Sequence, residues 1–168
     1  ISVENGKNSY LCDLKFYQRK IYTMKVYKFG GASVRNAAGV RNLAHIVEGE
    51  QNLFIIVSAM GKTTNALERV FGHMQNGRKE EANEEIKQIQ AYHAEIIDEL
   101  WGEHTDINEV TLLFGQLRNI VNDIVYRSTD AELWYDTIVA FGELISTTII
   151  SEWLNFAGIA NHWIDMRR

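Results

Sequence analysis

The stretch "VYKFGGASV", residues 26–34, sets a lysine shortly before two glycines and a serine: Lys28, Gly30, Gly31 and Ser33. At the end of a strand this is a combination suited to phosphate. Glycines let the backbone approach a ligand closely, amides at a strand-to-helix turn present partial positive charge to an anion, and lysine adds a full charge. Alternation puts Lys28 and Phe29 on opposite faces of the strand. The aliphatic lysine stem is expected to bury while its ammonium reaches the turn. The same residues also describe a solvated lysine before an ordinary strand-to-helix turn, and Lys-x-Gly-Gly alone does not choose between the two.

Three further groups could do chemistry. In "IIVSAMGKTTN", Ser58 closes an apolar run and Thr64 follows six residues on. The Thr64 hydroxyl suits either a polar ligand or the cap of the next helix. Gly61-Lys62-Thr63 matches the tail of a P-loop, but that loop needs a glycine five positions before its second glycine, where this chain has Ile56. The phosphate cradle of a P-loop is therefore missing, and G-x-G-x-x-G also fails after Phe29. In "AFGELIST", Glu143 lies in an apolar surround. A buried carboxylate needs a cationic or hydrogen-bonding partner, which a ligand ammonium or an internal Lys or Arg would supply. The five histidines show no metal-ligand spacing, and His93 and His104 are expected on the surfaces of helices or loops. No Ser/His/Asp order stands out.

The elements that must position these groups follow from periodicity. "MKVYKFG" reads as a strand ending at Gly30-Gly31. Val40, Leu43 and Val47 follow helical spacing, with Asn36 as N-cap and Gly49 as stop. "NLFIIVSAM" is a near-continuous β-branched run, the pattern of a strand buried on both faces. Strand, glycine turn, helix, strand is a βαβ unit, expected to be parallel and right-handed, with ligands beyond the carboxyl ends of its strands. Helices are expected over residues 67–74, over 79–101 with Ile86, Ile89, Ala94 and Ile97 on one stripe, and over 107–126. Residues 131–158 read as one largely buried helical stretch with a kink at Gly142, and "IANHWIDM" reads as a closing strand. Residues 1–23 are expected to be an N-terminal extension outside the domain of residues 24–168, frayed or packed at its edge.

Composition bounds the remaining classes. The chain of 168 residues is 46% hydrophobic and 23% charged, enough for one domain with a core. A net charge of −5 without a basic block argues against nucleic acid. The runs "LFIIVSAM" and "LISTTII" are too short to span a bilayer, and the N-terminus lacks the apolar core of a signal peptide. The single cysteine, Cys12, forms no internal disulfide, which fits a reducing cytoplasm.

"KFGGASV" resembles the opening "KFGGTSV" of the aspartokinases, within the amino acid kinase family. "IIVSAMGKTTN" resembles their second strand and substrate loop, "AFGELIST" their Gly-Glu helix, and "WIDMR" the strand that follows. Ala32 stands where threonine is usual. The four segments fall in family order across residues 24–168. The resemblance implies a three-layer αβα sandwich with a mainly parallel sheet, truncated, with a helical middle section. It implies ATP-dependent phosphorylation of the β-carboxylate of L-aspartate. That nucleophile is already ionised at neutral pH, so catalysis would rest on positioning and charge neutralisation, with Mg²⁺ carried on the phosphates and no protein ligand assigned to it. By resemblance, Lys28 stabilises the transferring phosphoryl group. Gly30, Gly31 and Ser33, with Lys28, bind ATP phosphate. Ser58, Thr64 and Glu143 hold aspartate, Glu143 through its α-ammonium. Lys62 has no assigned role, and those of Asp165 and Arg167 stay open. The family's nucleotide half and regulatory ACT domains have no counterpart in residues 24–168, so this portion alone is expected to be inactive, and the longer enzyme is expected to be a homo-oligomer. Two alternatives stay open: another amino acid kinase, acting on glutamate, acetylglutamate or carbamate, and a non-catalytic regulatory paralogue.

Overall fold

The computed structural model describes residues 23–102, 105–123 and 128–167. β1 (Lys25–Phe29) leads through a glycine turn into α1 (Ala37–Val47) and then β2 (Leu53–Val57), followed by α2 (Thr63–Gln75), α3 (Lys79–Trp101), α4 (Asn108–Asp123), a 3₁₀ turn (Ser128–Asp130), α5 (Ala131–Val139) and α6 (Phe141–Phe156). β1 and β2 pair in parallel with Lys25 opposite Leu53 and Phe29 opposite Val57, which is the expected βαβ unit. Asn36 caps α1 by accepting from the Gly39 amide at 2.9 Å.

The odd-numbered face of this small sheet, with Tyr27, Phe29, Leu53, Ile55 and Val57, packs on the core. The even-numbered face is open: Val26 is 57% and Ile56 43% exposed. β2 is therefore not buried on both faces, because no helix among the described residues covers that side. The arrangement is a two-stranded parallel sheet with helices packed on one of its faces. α6 lies at its centre, touching α1, α2, α4, α5 and β2. Its β-branched and leucine side chains are buried nearly all round, with Ile145 and Ile149 fully inaccessible.

Several elements differ from expectation. The short helix expected over 67–74 begins earlier, at Thr63. The break in the 131–158 stretch falls at Ala140, two residues before Gly142, where α5 gives way to α6. Taken together, Ala131–Phe156 is long and apolar enough by composition to cross a membrane, so the shorter runs underestimate its apolar length. Its inward side chains belong to the protein core. Residues 159–166 form no strand. A strand needs a neighbour for its backbone groups, and here Asn161 instead binds Ser151 and Asn155 at the end of α6. His104 and residues 1–22 lie outside the described residues.

His93 is fully buried, not on the surface, and occupies the α3 stripe where Ala94 was expected; Ala94 is exposed. Its Nδ1 lies 2.7 Å from the Ile89 carbonyl oxygen, which makes Nδ1 the protonated nitrogen. Nε2 is buried without a partner, and the ring packs edge-on against Tyr92 and Phe114. Burial lowers its pKa to about 4, partly offset by the Ile89 bond. Below pH 6.5 the unfolded chain takes up a proton that the folded chain refuses. Stability should therefore fall between pH 6.5 and about 4 by about 3 kcal/mol, and this contribution should level off below that range. Urea denaturation at pH 7 and pH 4 should show the loss, and His93→Leu should remove that part of the pH dependence. An unchanged pH dependence in the variant would contradict this account of His93.

Candidate active site

Two strand ends and one helix meet beyond the carboxyl edge of the sheet. After β1 the chain turns sharply, with the Ser33 amide donating to the Gly30 carbonyl at 2.9 Å. After β2 the Ser58 amide donates back to Phe29 at 3.0 Å, and the Gly61 amide donates to the Gly31 carbonyl at 3.0 Å. The two loops thus lie against each other. A Cβ on Gly31 would sit 2.3 Å from the Ala59 carbonyl oxygen, a backbone atom that cannot swing aside, so glycine is required there for close approach.

α6 closes on the same point. The Glu143 carboxylate accepts from the Ala59 amide at 3.2 Å, and the Ser146 hydroxyl lies 3.1 Å from the Ser58 carbonyl oxygen. One peptide group, Ser58–Ala59, is therefore held at both poles by residues three apart on one helix. Gly142 allows the contact: a Cβ there would stand 2.7 Å from the Ala59 Cβ and 3.3 Å from the Leu67 side chain. Glu143 is half-buried rather than buried, and among the described residues no lysine or arginine pairs with it. Among the described residues no internal salt bridge holds this carboxylate, and only one of its oxygens, Oε1, is bonded to them.

The structure brings Ser58 and Glu143 together through the Ala59 amide, and Gly31 against the 59–61 backbone. Lys28 lies at the same strand end, opposite Ile56 in the ladder. Its side chain is exposed on the open sheet face, so its stem is not buried as expected. Gly30 and Ser33 form the turn, with the Ser33 side chain exposed. Thr64 is half-buried in the first turn of α2. It does not cap that helix, since Lys62 holds the N-cap position without a side-chain bond. Lys62 faces elsewhere, into a cleft of about 390 Å³ between α2 and α3 that it shares with Arg35, Arg69 and Tyr92 and with none of the seven candidate residues. Asp165 and Arg167 pair with each other through two bonds of 2.9 and 2.8 Å, and this ion pair raises the arginine pKa.

Sequence reasoning passed over Ser146 and Ala59 and read Gly142 only as a kink. The signal was present in the Gly-Glu-x-x-Ser spacing, which puts Glu143 and Ser146 on one helix face, but the loop they grip is 84 and 88 residues distant in the chain. For Mg²⁺, the described residues contain no group of three or more His, Cys, Asp or Glu side chains able to hold a metal. The donors at the strand ends are hydroxyls, carbonyls and the single carboxylate of Glu143. They do not make a protein cage for the ion.

Comparison with known proteins places this geometry in context. The profile of the amino acid kinase family matches residues 23–168. Aspartokinase 1, chloroplastic, of Arabidopsis thaliana is 30% identical over 140 residues, which cover 80% of this chain and 24% of that protein. Aspartokinase 2, chloroplastic, of the same plant is 31% identical over 146 residues, covering 79% and 25%. The chain thus spans about a quarter of the length of these relatives. Among solved structures, Escherichia coli aspartokinase III in complex with aspartate and ADP superposes with a TM-score of 0.71 at 24% identity, covering 86% of this chain and 32% of that one. At that identity the likeness establishes the fold.

Proposed function

Because this chain belongs to the amino acid kinase family, we propose that it supplies the amino-acid side of an aspartokinase, which transfers the ATP γ-phosphoryl group to the β-carboxylate of L-aspartate. The observation that carries the reading is the Glu143 carboxylate. It is anchored by one oxygen on the Ala59 amide, has no internal cation among the described residues, and stands at the loop that follows β2.

In this reading the second oxygen of Glu143 receives the α-ammonium of the substrate, and Thr64 and Ser58 hold its polar groups. Gly30, Gly31 and Ser33 receive phosphate at the turn. Lys28, exposed and without an ion-pair partner among the described residues, neutralises the phosphoryl group as it moves between two anions. The nucleophile is ionised at neutral pH, so no general base is needed. Positioning and charge account for the rate. ATP brings Mg²⁺ on its phosphates. Kinases of glutamate, acetylglutamate or carbamate share the fold, but the relatives found are named aspartokinases. The two plant relatives are named chloroplastic; for this chain a cytoplasmic location is proposed. A homo-oligomeric full gene product is part of the same proposal.

The proposal places most of the adenine and ribose contacts outside residues 24–168. The 168-residue chain should therefore form no aspartyl phosphate from ATP and aspartate, while the full gene product should. Robust turnover by the chain alone would overturn the division of the site, and no turnover by either would overturn the assignment.

A further inference from the structure

We propose that Ser146 is a positioning residue for the amino-acid site, acting with Glu143 as a clamp on the Ser58–Ala59 peptide group. The inference rests on the reading of Glu143 as the ammonium-binding carboxylate.

Ser146 is fully buried. Its hydroxyl has one proton and two carbonyl oxygens within 3.1 Å, those of Ser58 and Glu143, so the proton is shared between them or alternates. The Glu143 carbonyl already accepts from Thr147 at 2.6 Å. What Ser146 alone supplies is a side-chain donor to the Ser58 carbonyl. At the other pole of the same peptide the Ala59 amide donates to Glu143 Oε1. A donor on the carbonyl polarises the peptide and strengthens its N–H as a donor. The Ser58 amide is meanwhile held by Phe29, so the clamp refers Glu143 to the end of β1 as well as to β2. A carboxylate pinned this way keeps one oxygen on the backbone and turns the other outward. Without Ser146 the peptide can tilt, the Ala59 bond weakens, and Glu143 loses its fixed direction while keeping its charge.

The test uses the full gene product, with aspartate and ATP KM measured separately. Ser146→Ala should raise the aspartate KM about three- to tenfold and leave the ATP KM within about twofold, the size of effect expected from losing one neutral hydrogen bond. Ser146→Cys keeps the shape and a weak donor, and should recover part of the loss; if the alanine variant does not fold, the cysteine variant against the parent makes the same comparison. On a Glu143→Gln background, Ser146→Ala should have less than its full effect, since the two act through one peptide. Full additivity, or aspartate and ATP KM rising together, would identify a merely structural serine and overturn the inference. So would an unchanged aspartate KM in folded Ser146→Ala while Glu143→Gln raises it. If Glu143→Gln itself leaves the aspartate KM unchanged, the reading of Glu143 fails and the clamp inference falls with it.

Discussion

Replacing Lys28 by alanine in the full gene product is expected to lower kcat by roughly 10²–10³, equivalent to about 2.7–4 kcal/mol of lost transition-state stabilisation. The aspartate KM should change much less. The reason lies in the exposure of this lysine and its lack of a partner among the described residues. An ammonium on the open sheet face at the end of β1 makes no bond among the described residues that the substitution would break, so the fold should tolerate the change. A charge used chiefly as the phosphoryl group moves between two anions contributes to kcat rather than to ground-state binding. Steady-state kinetics with circular dichroism on the same sample separates the cases. A folded variant with near-parental kcat would make Lys28 an ordinary solvated lysine.

Glu143→Gln is expected to raise the aspartate KM roughly ten- to a hundredfold with little change in ATP binding. Hydrogen bonds to charged groups are worth about 1.5–3 kcal/mol, and glutamine retains the shape but not the charge that the ammonium needs. Its amide oxygen can still accept from the Ala59 N–H, as Oε1 does in the parent. The unliganded variant should therefore be about as stable as the parent. Had Glu143 balanced an internal cation, removing its charge would cost about 3–5 kcal/mol. Thermal melts with and without aspartate, read beside the two KM values, distinguish these results. A large loss of unliganded stability with an unchanged aspartate KM would remove Glu143 from the substrate site.

The local part of this architecture is written plainly in the chain. Asn36, the Val40-Leu43-Val47 stripe and the β-branched run of β2 specify the βαβ unit through interactions a few residues long, and the structure contains it. The α3 stripe shows where pattern reading slips. The periodicity reaches position 93, but a polar ring there shifts the apparent stripe to Ala94. In the fold His93 is core, with one nitrogen on its own helix and aromatic neighbours around the rest. The residues 159–166 fail for a different reason. Their apolar and aromatic residues read as a strand, yet a strand is a property of a pair, and among the described residues nothing pairs with them. Lys28 is a similar case, since whether its stem is buried depends on what covers the even-numbered face of the sheet. The clamp at Ser58–Ala59 was out of reach because it joins segments more than eighty residues apart. The close packing of Gly142 on Ala59 lets α6 reach the two carboxyl-edge loops, which are already joined to each other.

The most direct test of the aspartokinase reading is acyl-phosphate trapping. The full gene product, with ATP, Mg²⁺ and hydroxylamine, would be offered L-aspartate, L-glutamate, acetylglutamate or carbamate as acceptor. For the carboxylic acids the hydroxamate would be measured, and for every acceptor ADP release would be measured in parallel. The account predicts aspartyl hydroxamate with matching ADP release, and little of either with the other three. Preferential phosphorylation of another acceptor, or no turnover with any of them by folded protein, would contradict it.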